Sequence, residues 1–120
     1  MKKLALSLIS LLLAMMAVSA FAADTTVKGY LVDRACAFDN YPNKPGFGAK
    51  HSKGCLQMPD CEKSGYAVIT EDQKIIVFDY PGNLLAKKFI AALTKTNDIR
   101  VVVTGTLNGS EIAVSKIELQ

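Results

Sequence analysis

The sequence predicts a mainly β domain with one α-helix, in which five strands follow the order β-β-β-α-β-β. Three observations lead to this class. Segments rich in β-branched residues alternate between apolar and polar positions and are separated by turn residues, which is typical of strands. One segment has apolar residues at helical spacing. An Asn-Gly pair near the C-terminus is the strongest short-range signal of a β-hairpin.

The first 22 residues have the three-part layout of a secretory signal peptide. A basic start (residues 1–3) precedes an apolar run (residues 4–18) and a cleavage motif, Ala-Phe-Ala, at residues 20–22. An uncleaved anchor is the alternative, since residues 4–23 are nearly long enough to cross a bilayer. The small residues at its end favour cleavage. We expect residues 1–22 to be removed and residues 23–120 to form one domain, periplasmic or secreted and free of the membrane.

The net charge argues against a nucleic-acid partner. The chain carries 14 Lys and Arg against 11 Asp and Glu, a formal charge of +3. Two of the lysines, Lys2 and Lys3, belong to the signal segment, so the domain itself is nearly neutral. It therefore lacks the basic surface of a nucleic-acid binder and gives no reason to expect binding to anionic membranes.

Three strands and a long loop are expected in the first half of the domain. Residues 25–33, 66–70 and 74–80 are rich in β-branched and aromatic side chains. Residues 71–73 are short enough to join the second and third strands as a hairpin. The segment between the first two strands is irregular and rich in Gly, Pro, Asn and Lys, with room for one short helix within residues 51–63.

The helix and the last two strands follow. Pro81-Gly82 is expected to end the third strand and Asn83 to cap a helix over residues 84–94. Its predicted core-facing stripe consists of Leu85, Phe89, Ala92 and Leu93.

Strands at residues 99–106 and 111–119 are expected to be joined by Asn108-Gly109 in a type I′ turn. Apolar residues change faces near Ser115, which predicts a β-bulge. The two sets that change faces are Ile112 with Val114, and Ile117 with Leu119.

Five strands with a helix between the third and fourth are the layout of an OB-fold barrel. An open sheet covered by the helix is the alternative. In the barrel, the long cysteine-containing segment is the loop between strands one and two, which OB-folds often use for binding.

The chain resembles a group of small secreted bacterial OB-fold-like proteins with a G-x-x-x-D-x-x-C start and further Cys and His residues. The matching positions are residues 29–36, then His51, Cys55 and Cys61. The C-terminal half, through residues 101–106 and 112–117, is also similar to the periplasmic bacterial OB-fold family linked to stress tolerance. The resemblance implies an OB-like fold and an exported protein, and it assigns no activity to particular residues.

The three cysteines admit three interpretations. The first is a structural disulfide in an oxidising compartment, with one thiol left over. Cys55 and Cys61 would be about 9 Å apart along a continuous helix, too far to bridge. Cys36 is therefore the expected partner of one of them, and closing that loop would stabilise the fold by roughly 3 kcal/mol.

The second interpretation is a metal site in which Cys36, His51, Cys55 and Cys61 bind zinc or copper as a Cys3His set. The third is thiol chemistry, with His51 activating Cys36 or Cys55. Asp33, which ends the first strand, is expected to be a turn or cap residue, with the orientation of His51 as an alternative role.

Motifs for other chemistry cannot be picked out: the sequence shows no Gly-rich phosphate loop, paired carboxylates or Ser/His/Asp set. We therefore predict no catalytic or cofactor-binding residues and a protein that is not an enzyme. The expected function is that of an exported binding or accessory protein of the cell envelope whose partner is a small ligand or an envelope protein. A zinc- or copper-binding protein and a thiol-dependent redox accessory are the alternatives.

Overall fold

The computed structural model describes residues 24–41 and 44–120, so the predicted signal peptide lies outside the described residues. Five strands and five helices follow one another along this part of the chain. They are β1 (Thr25–Asp33), α1 (Arg34–Asn40), α2 (Phe47–Lys50), α3 (Lys53–Leu56), α4 (Pro59–Ser64), β2 (Tyr66–Thr70), β3 (Ile75–Phe78), α5 (Tyr80–Ala91), β4 (Arg100–Asn108) and β5 (Glu111–Leu119). None of the described helices is long and apolar enough to cross a membrane.

The five strands form one mixed sheet whose pairings close into a ring in the order β1-β2-β3-β5-β4. β1 pairs antiparallel with β2 on one side and with β4 on the other. β2 pairs with β3, and β4 with β5, also antiparallel. A short parallel contact between β3 and β5 completes the ring. The expected pairing of the first two strands is thus confirmed, whereas an open sheet edge is not what the pairings show.

Gly29 allows β1 to serve two neighbours at once. It pairs with Thr70 of β2 and with Val101 of β4. A Cβ atom at this position would collide with the carbonyl oxygen of Ile69. Only glycine therefore lets the two strands approach β1 so closely.

The main hydrophobic core fills the inside of the ring and extends beneath α5. Its fully buried side chains come from all five strands and include Leu31, Val68, Phe78, Val101, Val103 and Ile112. A second cluster on the outer side of β1 and β2 contains Val32, Ala37, Ala67 and Ile69, with Tyr30, Tyr41 and Phe47 packed against it. This second cluster anchors the helical segment between β1 and β2 to the sheet.

That helical segment corrects the prediction of an irregular loop with one short helix. It forms four short helices, and each of them begins at a residue with a clear local cause. Asp33 and Ser52 accept backbone hydrogen bonds as the N-caps of α1 and α3. α2 follows Gly46, whose φ of 75° is readily adopted by glycine. α4 begins with Pro59, which suits the first turn because its missing N–H would have no partner there.

The start of α5 differs from the prediction. Asp79, not Asn83, is the N-cap, and its carboxylate accepts a hydrogen bond from the backbone N–H of Gly82 (3.0 Å). Pro81 lies in the first turn of the helix instead of ending the preceding strand. Asn83 accepts a hydrogen bond from the backbone of Tyr66 through its side-chain oxygen (2.9 Å), so it links α5 to β2.

The buried face of α5 is shifted by about one residue from the predicted stripe. Ala86, Ile90 and Leu93 are buried, whereas Leu85 is 39% exposed and the prediction for it is wrong. Ala92 is exposed as well, and Phe89 is half-buried against the core. The cause is the close approach of α5 to β5, where a Cβ at Gly82 would lie 2.6 Å from the Val114 side chain. The positions one and two turns further on, Ala86 and Ile90, therefore face the sheet.

The hairpin between β4 and β5 turns one residue later than predicted. Asn108 still belongs to β4 and pairs with Glu111. The turn consists of Gly109 and Ser110, and only Gly109 has positive φ (62°). A glycine at the first turn position with positive φ is the pattern of a type II′ turn, not of the predicted type I′.

The predicted bulge near Ser115 is confirmed. Thr104 pairs with Lys116 and the next residue, Gly105, pairs with Val114, so Ser115 is the extra residue on β5. Its hydroxyl donates a hydrogen bond to the carbonyl of Thr104 (3.1 Å). Before the bulge Ile112 and Val114 are buried, and after it Ile117 is half-buried and Leu119 is 48% exposed.

A candidate metal centre between the first strand and the short helices

Asp33 lies at the centre of the candidate site. It is the last residue of β1 and the N-cap of α1, and it is completely buried. One carboxylate oxygen, Oδ2, accepts a hydrogen bond from the backbone N–H of Cys36 (2.9 Å). The other, Oδ1, is 2.6 Å from Nε2 of His51. Asp33 therefore has both of the roles that its sequence position suggested.

His51 approaches from the end of α2. It is 5% exposed, and its ring lies 4.9 Å from the ring of Phe47 between centroids. α2 packs closely on β1, because a Cβ at Gly48 would lie 2.7 Å from the Tyr30 ring. The carbonyl of Ala49 accepts a hydrogen bond from the backbone of Asp98 (3.0 Å), just before β4. α2, and with it His51, is thus held in place by contacts with β1 and with the residue that lies two positions before β4.

Cys36 completes a group of three metal-ligating side chains. It lies in the first turn of α1 and is partly exposed. One ligand atom each from Asp33, Cys36 and His51 lie within 4.8 Å of one another. In the described part of the chain these are the only residues that come together in this way.

Cys61 lies next to this group, and Cys55 is further away. Cys61 is buried in α4, which packs against α1 and β1, the elements that carry Cys36 and Asp33. Cys55 lies in α3 and is partly exposed. The close group therefore contains two members of the predicted Cys3His set, Cys36 and His51, together with Asp33, whereas Cys55 and Cys61 lie outside it.

The predicted disulfide is not formed in the structure: Cys36, Cys55 and Cys61 are free thiols. Cys36 nevertheless has Cys61, and not Cys55, as its neighbour. Cys55 and Cys61 do not share one continuous helix, because α3 ends at Leu56 and α4 begins at Pro59. That break turns Cys61 towards α1.

The pKa values around the site follow from its burial and its negative charge. Burial raises the pKa of the Cys36 thiol to about 12, and the hydrogen bond and charge of Asp33 add to the shift. Burial also raises the pKa of Cys61, again with a contribution from the charge of Asp33. Burial alone would raise the pKa of Asp33, but hydrogen bonds from His51 and Cys36 outweigh it and lower that pKa.

These shifts fix the charges of the site at neutral pH. Asp33 is an ionised carboxylate and can only accept hydrogen bonds, so Nε2 of His51 carries the proton between them. The Cys36 thiol is protonated. A nucleophilic cysteine needs a lowered pKa and a positively charged neighbour. The environment of Cys36 is the opposite, which disfavours the interpretation of His51 as its activator.

A groove of about 350 Å³ lies beside the site. Its lining includes Tyr30, Tyr41, Phe47 and Ile69, and also the charged residues Lys44 and Glu71. Tyr41 is fixed there by a hydrogen bond from its hydroxyl to the carbonyl of Gln73 (2.8 Å). The groove shares Phe47 with the packing of His51.

No protein-family model matches the chain, and no significant match is found among curated proteins or among solved structures.

Proposed function

We propose that this protein is an exported, OB-like metal-binding protein that holds a zinc ion through Asp33, Cys36 and His51. The observation that carries the proposal is the convergence of these three side chains, whose ligand atoms lie within 4.8 Å of one another. They come from three places, the end of β1, the first turn of α1 and the end of α2. The closed ring of strands with α5 between β3 and β4 supports the OB-like part of the proposal.

The charge of the site favours a cation. A buried carboxylate is costly unless it is paired, and Asp33 is completely buried. The raised pKa values of the neighbouring thiols show that the metal-free site resists any further negative charge. A divalent cation would lower the pKa of a thiol that it coordinates, because the positive charge of the metal balances the negative charge of the thiolate.

The donor atoms favour zinc over copper. Carboxylate oxygen, imidazole nitrogen and thiolate sulfur are all ordinary zinc ligands. Cu(I) is selected by soft thiolate and thioether ligands, and Asp33 is a hard ligand at the centre of this group. Cysteine and histidine alone fit zinc or copper, and the participation of Asp33 favours zinc.

Metal binding would replace one hydrogen bond by two coordinate bonds. Two ligands on a tetrahedral zinc ion, each about 2.0 Å from it, lie roughly 3.3 Å apart. Asp33 Oδ1 and His51 Nε2 are now 2.6 Å apart, the distance of a strong hydrogen bond. The ion would therefore take the position of the proton, and the two side chains would separate by less than 1 Å, as estimated from these bond lengths.

The test is metal content and affinity in the full chain expressed with its own signal segment. Protein stripped with a chelator and reloaded should bind one equivalent of zinc. Asp33→Asn, Cys36→Ser and His51→Gln should each lower the affinity at least tenfold. Asp39→Asn, on the exposed face of α1, is the matched control and should bind normally. Wild-type protein that takes up no zinc after reloading would refute the proposal.

A further inference from the structure

The fourth side chain near the cluster is that of Cys61, and its helix is tied to the helix that carries Cys36. The backbone N–H of Arg34 donates to the carbonyl of Gly65 (2.9 Å), just beyond the end of α4. The backbone N–H of Ala35 donates to the Ser64 hydroxyl (3.2 Å). That hydroxyl donates in turn to the carbonyl of Cys61 (2.7 Å). The residue before Cys36 is thus connected to Cys61 itself through one side chain.

The position of Cys61 also points towards the cluster. It is 8% exposed, and it is the buried residue of α4. α4 packs against both α1 and β1, the two elements that provide Cys36 and Asp33. Cys55, on α3, has no such link to α1 among the described contacts.

We propose that Cys61 supplies the fourth ligand, so that Asp33, Cys36, His51 and Cys61 form a closed four-coordinate zinc centre. This inference rests on the proposed zinc site. It adds a fourth ligand to that site and a role for the bound ion in stabilising the fold. The Cys61 sulfur lies outside the group of atoms within 4.8 Å of one another. Rotation about its single side-chain bond moves a cysteine sulfur by about 3 Å between staggered positions. The proposal therefore requires a change of the Cys61 rotamer when the metal binds.

The number of protein ligands determines whether a zinc site holds the metal for stability or leaves a position open for water. Zinc sites with four protein ligands hold the metal and stabilise the fold, whereas sites with three keep a position for water and for substrate. With Cys61 bound, the ion has two thiolates, one imidazole and one carboxylate, and no place for water. The centre then retains zinc and locks α1, α2 and α4 onto β1.

Cobalt(II) binding to the full chain tests the coordination. Cobalt occupies zinc sites, and its thiolate charge-transfer absorption scales with the number of bound sulfurs, while its visible bands are strong only when it is four-coordinate. Wild-type protein should show the spectrum of a tetrahedral site with two thiolates. Cys61→Ser should lose about half of the charge-transfer intensity and bind zinc at least tenfold more weakly. Cys55→Ser is the matched control and should be unchanged.

The outcomes separate the two proposals. If wild-type protein binds neither cobalt nor zinc, the proposed function fails. If it binds and Cys61→Ser keeps the full charge-transfer intensity, only the closed centre is wrong. The same holds if Cys55→Ser loses intensity instead. X-ray absorption on zinc-loaded wild-type protein decides the matter even if a variant does not fold. Two sulfur neighbours at about 2.3 Å are expected, and a single one would overturn the inference.

Discussion

Asp33 Oδ1 and His51 Nε2 lie 2.6 Å apart inside the protein, and they join the end of the first strand to a turn 18 residues further along the chain. The same carboxylate caps α1 through its other oxygen. One side chain therefore determines where α1 starts and where the end of α2 lies. Because both partners are buried, we expect the pair to contribute to stability.

Replacing Asp33 with Asn should destabilise the metal-free domain strongly. The oxygen of the asparagine amide can still accept the hydrogen bond that caps α1. The substitution nevertheless removes the negative charge that faces Nε2 of His51. A hydrogen bond to a charged group contributes about 1.5–3 kcal/mol, and we expect a loss within this range because the cap survives. Urea unfolding with and without the substitution measures the difference.

Asp39→Asn is the control for this change, because Asp39 is exposed on the same helix. Its effect should be within about 0.5 kcal/mol of zero. Equal stability of the wild-type and Asp33→Asn proteins would show that the pair contributes nothing to the fold.

Acid should unfold the metal-free domain through the same residue. The pKa of Asp33 is lowered from its usual 3.8 in the folded protein, so the unfolded chain takes up a proton first as the pH falls. The stabilisation by Asp33 is complete above about pH 4 and is lost as the pH drops through the lowered folded value. Thermal melts from pH 6 to pH 2 should show this loss for the wild-type protein.

The Asp33→Asn variant should melt at a lower temperature than the wild-type protein at neutral pH. Its melting temperature should fall less than that of the wild-type protein between pH 6 and pH 2. A parallel decline in both proteins would assign the acid sensitivity to other carboxylates.

The sequence was sufficient to predict much of the sheet, and the limits of β1, β2 and β5 agree with the structure. β-Branched alternation is a local signal, and these strands obey it. The start of α5 was missed because Pro81-Gly82 was interpreted as the end of a strand. In the sequence, a proline that ends a strand cannot be distinguished from a proline in the first turn of a helix, which is the position of Pro81.

The site could be predicted only in part. Cys36 and His51 were recognised by residue type, and Asp33 by its position as a cap. The pairing of Asp33 with His51 depends on the packing of α2 against Tyr30, which is a tertiary contact without a sequence signal. The choice of Cys61 over Cys55 as the neighbour of Cys36 depends on the break before Pro59 in the same way.

Zinc binding should release protons and become tighter as the pH rises. The Cys36 thiol has a pKa of about 12 and that of Cys61 is raised as well, so both are protonated at neutral pH. Each must lose its proton to bind the metal. The affinity should therefore increase by about tenfold per pH unit for each bound thiolate.

Calorimetry in buffers of different ionisation enthalpy counts the protons released by the wild-type protein and by Cys61→Ser. The variant should release about one fewer, because one thiolate has been removed. An affinity that does not change between pH 6 and pH 8 would mean that no thiol is a ligand.

Oxidation of the metal-free protein should join Cys36 to Cys61 and leave Cys55 free. The first two thiols lie on packed helices that Ser64 ties together, so they are the pair that we expect to form the bridge. With oxidised glutathione, the thiolate of one cysteine displaces glutathione from the disulfide, and the second cysteine then displaces the other glutathione. The net change is loss of two hydrogens from the protein and formation of two glutathione thiols. The raised pKa values make the first attack slow at neutral pH and faster as the pH rises.

Bound zinc should block this reaction, because both thiolates are then occupied by the metal. Intact mass gives the extent of oxidation, a loss of about 2 Da for one bond. Peptide mapping then identifies the bridge. The control is Cys55→Ser, which should oxidise at the wild-type rate, whereas Cys61→Ser should stop at the mixed disulfide. A bridge that contains Cys55, or oxidation that proceeds equally fast with zinc bound, would contradict the placement of Cys36 and Cys61 around one metal ion.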